Sequence, residues 1–212
     1  LKSKHYGVIS KSMGSCAMLG MMQISMIVLK GKQISDFAKE RNLVLKKARE
    51  NWVLFVDSDE KVSPALAQEI KNLKPSGCSG FYLKRKNYFL GQFVGTDKIL
   101  RLARKDAGLW QRRVHETWKV KGKIGTLKNP LIHHTASSVF EMIKKINYYS
   151  TLHAQANLLE GKRSNLMKII FYPRFKFLFN LFSGKNLVFA LLLSFHSFLA
   201  WSKLWLWQKE KN

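Results

Sequence analysis

Asn51-Trp52-Val53-Leu54-Phe55-Val56-Asp57-Ser58-Asp59-Glu60 is the stretch on which the fold turns. Trp52 to Val56 is an unbroken apolar run of strand length. Without polar alternation it suits a central strand covered on both faces, and it stops abruptly at acids. Two carboxylates on a tight turn at a strand's C-terminal edge can ligate a hard divalent cation that keeps waters and takes diphosphate oxygens as its other ligands. The competing reading is a solvated turn whose acids favour the N-terminus of the next helix.

The flanks extend an α/β pattern. Upstream, residues 36–50 turn helical, with Phe37, Val44, Leu45 and Ala48 on one face and Ser35 or Asp36 as the N-cap. Downstream, Ser63-Pro64 opens a helix to about Leu73, with proline at its first position. Residues 80–85 and 98–103 read as strands joined through a loop at Leu90-Gly91. Residues 119–134 read as two short extended pieces broken by Gly122, Gly125 and Pro130. Ser138 with Glu141 forms a capping box ahead of a helix to about Glu160.

Composition narrows the function classes. The 212 residues carry 37 Lys and Arg against 13 Asp and Glu, a net charge of +24, so the partner is an anion: a nucleic-acid phosphate, a lipid headgroup or a diphosphate. With 46% hydrophobic residues the chain is no disordered basic tail. Two distant cysteines, Cys16 and Cys78, exclude a disulfide framework and a zinc finger. Seven of the 13 acids fall between Asp36 and Glu69, where a nucleic-acid surface would be free of them. That distribution disfavours nucleic acid as the partner.

The composition shifts after Gly161. Residues 166–182 mix Phe171, Tyr172, Phe175, Phe177, Phe179 and Phe182 with Lys168, Arg174 and Lys176, as in a helix lying in a membrane interface. Residues 186–202 carry no charge, and Trp205 and Trp207 follow. This run sits at the lower edge of spanning length. A membrane element and a helix buried in protein both remain open. Near the other end, the uncharged residues 15–29 are read as a buried element or out-of-register sequence.

Taken together, Asp36-Phe37-Ala38-Lys39-Glu40-Arg41-Asn42, the 51–60 stretch, Ser63-Pro64, Arg85-Lys86-Asn87-Tyr88-Phe89-Leu90-Gly91, Leu100-Arg101-Leu102, Val114-His115-Glu116 and Asn129-Pro130-Leu131-Ile132-His133-His134 resemble family 2 glycosyltransferases of the GT-A fold. Within that family the chain is similar to bacterial lipopolysaccharide core and cell-envelope transferases, over residues 33–212. The resemblance implies an α/β, GT-A-like mixed sheet flanked by helices. It implies a catalytic domain over 33–160, a hydrophobic helical tail over 161–212 and a poorly matching segment over 1–32. The implied activity is metal-dependent, inverting transfer of a sugar from a nucleotide-sugar donor to a glycan or lipid-linked acceptor. The implied setting is the cytoplasmic face of the bacterial inner membrane, with the tail on an anionic membrane surface.

On this resemblance Asp57 and Asp59 form the D-x-D pair, close to the donor's ribose and diphosphate and to Mg²⁺ or Mn²⁺. Arg41 would face the nucleotide, and Arg101 and Arg113 the diphosphate. Glu116 would be the general base, with an ion pair to Arg112 or Arg113 as its plain alternative. His115 and His133 would be further metal ligands. Family members also carry a Pro-x-Tyr-Asn-Glu-like loop and an Asp-Ser-x-Ser-x-Asp-like loop after their first two strands, and neither occurs here. The expectation is therefore a chain short of its first strands, with an exposed sheet edge and without activity of its own. The alternative function is a non-catalytic basic module that binds anionic membrane or nucleic acid.

Overall fold

The apolar run becomes β3 (Trp52–Asp57), and the computed structural model shows why it tolerates no polar residue. Residues 9–13, 23–29, 36–112 and 116–210 are described. Alternate side chains of β3 enter two separate cores. Trp52, Leu54 and Val56 join one with Phe81, Leu83, Leu102, Leu127 and Leu131, while Val53 and Phe55 join another with Ala38, Val44, Leu45, Trp110 and Trp118. Val53, Leu54 and Phe55 are completely buried. Both faces of the strand are covered, and a polar side chain on either would lack a partner.

The described residues fall into two units. The first takes those up to Lys86 together with Thr96–Arg112 and Glu116–His133. The main sheet consists of β1 (Ile9–Met13), β2 (Ile24–Leu29), β3, β4 (Glu60–Val62), β5 (Cys78–Phe89), β6 (Gln92–Arg104) and β9 (Lys123–Ala136), in the order β1-β2-β3-β6-β5-β9-β4; residues 87–89, 92–95 and 134–136 of its strands fall in the second unit. A separate ribbon pairs β7 (Gly108–Gln111) with β8 (Thr117–Val120). The sheet is mixed: β3 runs parallel to β2, from Ile24 opposite Trp52 to Leu29 opposite Asp57, and antiparallel to β6. Helix α1 (Phe37–Lys46) is capped by Asp36, whose carboxylate accepts from the Lys39 amide at 2.9 Å. Helix α2 (Pro64–Lys71) is capped by Ser63, which accepts from the Leu66 amide and buries Leu66 and Ile70 in the first core.

Two expectations change. The sheet does not stop at β3: β2 pairs along the whole length of β3, and β1 pairs with β2 beyond it. The uncharged residues 24–29 supply β2, with Ile24 and Ile27 buried; residues 14–22 and 30–35 lie outside the described set. The two short pieces expected over 119–134 are instead β8 and the 14-residue β9. Gly122 supplies the turn between them at φ +95, and Gly125 stays inside β9 because a Cβ there would lie 2.6 Å from the Phe81 ring.

The second unit contains Asn87–Gly95 and the described residues from His134 onward. Phe89, Val94, Ala136, Met142, Ile146 and Phe189 form its core. Helix α3 (Val139–Leu159) is capped by Ser138, whose hydroxyl accepts from the Glu141 amide at 3.0 Å, while the Glu141 carboxylate of the expected box reaches one residue beyond the cap and accepts from the Ser137 amide at 2.7 Å. Helices α4 (Leu166–Phe182) and α5 (Leu187–Glu210) pack as an antiparallel hairpin, with the Tyr172 and Trp201 rings 4.9 Å apart and Ser194 donating to the Pro173 carbonyl at 2.8 Å. Among the described residues α5 is the one helix long and apolar enough to cross a membrane.

Phe55 meets the rings of Trp110 and Trp118 edge-on at 5.3 Å each, so Phe55→Ala is expected to cost about 3–5 kcal/mol of unfolding free energy. Urea denaturation followed by tryptophan fluorescence measures it.

Candidate functional site

The site grows from an arginine on the wrong side of a helix. Arg41 sits with Ala38, Val44 and Leu45 on the buried face of α1 and is only 1% exposed. Its guanidinium lies over the Trp110 ring at 4.6 Å and the Phe55 ring at 5.4 Å, a stacking that suits a weakly hydrated planar cation. A charge this deep must be paired, and two carboxylates meet it. Its Nη2 donates to Asp57 Oδ1 at 2.6 Å, and its Nε donates to Glu116 Oε1 at 3.0 Å.

Asp57 closes β3 and takes a second guanidinium on its other oxygen, Arg101 Nη2 from β6 donating to Oδ2 at 2.5 Å. Beneath it lies Glu60, whose side chain is wholly buried. Its Oε2 accepts from the Asp57 amide at 2.9 Å, and its Oε1 accepts from Arg85 Nη1 at 3.0 Å while lying 3.7 Å from Arg101. Arg85 then forks onto Asp97 at 2.9 and 2.7 Å. Charges of alternating sign thus run from Glu116 through Arg41, Asp57, Arg101, Glu60 and Arg85 to Asp97.

The electrostatics follow from that alternation. Burial pushes the Asp57 carboxyl upward, but Arg101 and Arg41 outweigh it and hold the group well below the ordinary carboxylate range. Arg41, although burial opposes its charge, is raised by Asp57 and Glu116. Arg101 is lowered, first by burial and then by the like charge of Arg41. The two arginines share Asp57, yet only Arg41 gains a second hydrogen-bonded carboxylate. Each keeps one buried nitrogen donor with no acceptor, Nη1 on Arg41 and Nε on Arg101. Leaving buried donors unpaired costs free energy.

Asp59 points elsewhere. It is about a third exposed, and His133 Nε2 stands 3.5 Å from its Oδ2. The pairing of β4 with β9, which sets Glu60 opposite His133, brings them together. Asp59 and His133 offer one oxygen and one nitrogen donor on an open edge, a set that fits a divalent cation taking its remaining ligands from water and diphosphate. Both Asp57 oxygens, by contrast, accept from guanidinium groups. Among the described residues no cluster of three His, Cys, Asp or Glu side chains is placed to hold a metal.

Of the residues singled out from sequence, the structure joins Arg41, Asp57, Arg101 and Glu116 directly and pairs Asp59 with His133 nearby. Glu116 is ion-paired to Arg41, a residue 75 positions away. Arg113 and His115 lie outside the described residues. Sequence reasoning missed Glu60, Arg85 and Trp110. Glu60 directly follows the two aspartates, and an acid at the start of a short strand was the one signal available.

No family model matches the chain. It is similar to a lipopolysaccharide core biosynthesis glycosyltransferase, LpsC, of Rhizobium meliloti, 28% identical over 152 residues that cover 67% of this chain and 56% of the relative. It is also similar to uncharacterized glycosyltransferases of Rickettsia typhi, 24% identical over 180 residues covering 73% and 62%, and of Rickettsia felis, 25% identical over 183 residues covering 73% and 64%. The chain therefore spans less than two thirds of the length of these relatives.

Replacing Asp57 by Asn keeps the shape but leaves two buried guanidiniums short of charge, at an expected cost of about 3–5 kcal/mol near neutral pH. Because the folded-state carboxyl is depressed, its contribution is present above the unfolded value of about 3.9 and lost as pH falls below it. The stability gap between the unsubstituted chain and Asp57→Asn should accordingly narrow from about pH 5 toward about pH 3, measured by urea denaturation across that range.

Proposed function

We propose that the chain is part of a family 2, GT-A-type glycosyltransferase that moves a sugar from a nucleotide-sugar donor to a cell-envelope glycan or lipid-linked acceptor. The reaction proceeds with inversion, at the cytoplasmic face of the bacterial inner membrane. The observation that carries this reading is the single buried guanidinium of Arg41, which binds both Asp57 at the strand end and Glu116. The similarity to proteins named glycosyltransferases supports it.

Glu116 is the general base. An acceptor hydroxyl oxygen attacks the anomeric carbon from the side opposite the diphosphate, and its proton passes to the Glu116 carboxylate. The bond from that carbon to the diphosphate oxygen breaks with the electron pair leaving on the diphosphate. Arg41 donates to Oε1 of Glu116 and so fixes the orientation of the carboxylate that accepts that proton. Arg41 and Arg101, each with a spare N–H, meet the donor's anionic groups and stabilise the charge developing on the leaving group. Asp57 orients both guanidiniums by occupying one nitrogen of each. Mg²⁺ or Mn²⁺ held by Asp59 and His133 would neutralise diphosphate charge when bound.

The alternative of a non-catalytic basic module fits the interior less well. Its cations would face outward, whereas Arg41 and Arg101 are buried against acids.

In the full-length protein, Glu116→Gln is expected to lower kcat by about 10²- to 10⁴-fold with the donor KM nearly unchanged. Sugar transfer followed by product chromatography measures it, and turnover equal to that of the unsubstituted enzyme would remove Glu116 as the base. Asp59→Ala should raise the Mg²⁺ or Mn²⁺ concentration needed for half-maximal turnover; an unaltered metal titration would sink the assignment of that pair.

A further inference from the structure

Helix α4 is built inside out for a helix in water. Phe171, Phe175, Leu178 and Phe182 recur every three or four residues, which puts them in one stripe, and all four are exposed, Phe175 by 69% and Phe182 by 84%. The buried positions are Pro173 and Asn180 instead. Asn180 is satisfied there, its amide donating to the Lys176 carbonyl at 2.7 Å and its carbonyl accepting from Lys185 Nζ at 2.9 Å. A water-facing helix hides phenylalanine and displays asparagine, whereas this one does the reverse. Helix α5 repeats the pattern with exposed Leu187, Leu191 and Phe198.

A second observation comes from the hairpin tip in the same unit. Leu90 and Gly91 both have positive φ, +51 and +77, a two-residue turn of the kind that favours Asn-Gly. A leucine is strained there, and it is exposed together with Phe93. The tip is tied beside the α4–α5 turn: Asn186 donates to Gln92 at 3.3 Å, and the Phe89 and Phe189 rings lie 5.7 Å apart. Strain spent to show an apolar side chain implies something for that side chain to enter.

Charge identifies the occupant. Exposed Arg174 borders the α4 stripe and Lys176 is exposed on the same helix, and from Gly161 to the end nine Lys or Arg stand against the single acid Glu210. Apolar side chains bordered by cations match an anionic lipid surface. The same charges decide against a crossing. Arg174 and Lys176 sit at the middle of α4, and Lys203 Nζ of α5 shares its three N–H groups among four oxygens of α3 at 2.7–2.8 Å: the Asn147 carbonyl and side chain, Ser150 and Thr151. That stretch of α5 is committed to a polar face of a neighbouring helix rather than to lipid.

We infer that α4, the outward face of α5 and the Asn87–Gly95 tip form a monotopic module, lying in one leaflet of an anionic bilayer without crossing it. The inference deepens the reading of a membrane-face transferase and rests on it only for its biological sense. Co-sedimentation of the full chain with sealed vesicles, without donor or acceptor, tests it. Binding should be strong to vesicles rich in phosphatidylglycerol and weak to phosphatidylcholine alone. Phe175→Ser and Phe182→Ser should each weaken it by about tenfold, with unchanged circular dichroism. Leu90→Asn should weaken vesicle binding while raising thermal stability, a pairing that misfolding cannot produce. In a chain with Cys16 and Cys78 replaced by serine, neither Ser183→Cys nor Lys209→Cys should react with an impermeant maleimide trapped in the lumen. Equal binding to both vesicle types, indifference to the phenylalanine substitutions, self-association without vesicle binding, or labelling from the lumen would each overturn the module. Loss of vesicle binding with sugar transfer intact would leave the enzymatic reading standing.

Discussion

The Asp57 carboxylate, held between two buried guanidiniums at the end of the central strand, is the constraint on which the first unit depends. Arg41 and Arg101 come from a helix and from a neighbouring strand, and neither side chain would be tolerated at its depth without a counter-charge. Glu60 extends the same logic one step further: it fixes the Asp57 backbone through the amide and draws in Arg85. The strand end is thus electrically crowded yet nearly compensated.

Around that point the aromatic residues play a structural part that also tunes the charges. Trp110 and Trp118 stack at 5.2 Å with Phe55 against their edges, and the Trp110 face carries both arginines, Arg101 at 5.7 Å and Arg41 closer. The low-dielectric wall strengthens every ion pair it borders. It also explains how the second core can hold a cation without breaking into water.

Much of the fold was legible before any coordinates. The Trp52–Val56 run announces two-sided burial, and Asp36, Ser63 and Ser138 announce helix starts; each signal is local, because periodicity and capping depend on residues within a few positions. The excess of +24 reads as attraction to anions, and the uncharged residues 186–202 as a helix interior. Less legible was β2, since a short methionine-rich run has no periodicity to tell strand from helix. Nor did the sequence reveal that Pro130 and Gly125 sit within one long strand, where a neighbouring ring fills the space a side chain would need.

Local sequence signals are enough to start the three capped helices at Asp36, Ser63 and Ser138, to mark the residues able to carry charge chemistry, and to show a tail that combines aromatic with basic side chains. Which charges meet is set by the folded arrangement. Arg41 and Glu116 are 75 residues apart, and Arg101 and Asp57 are 44 apart, so no spacing rule links them. It also decided which face of α4 is outward, turning a composition into a surface. The physical reason is the same in both cases: the energy of a charge or a phenyl ring depends on what surrounds it, and those surroundings are assembled from distant parts of the chain.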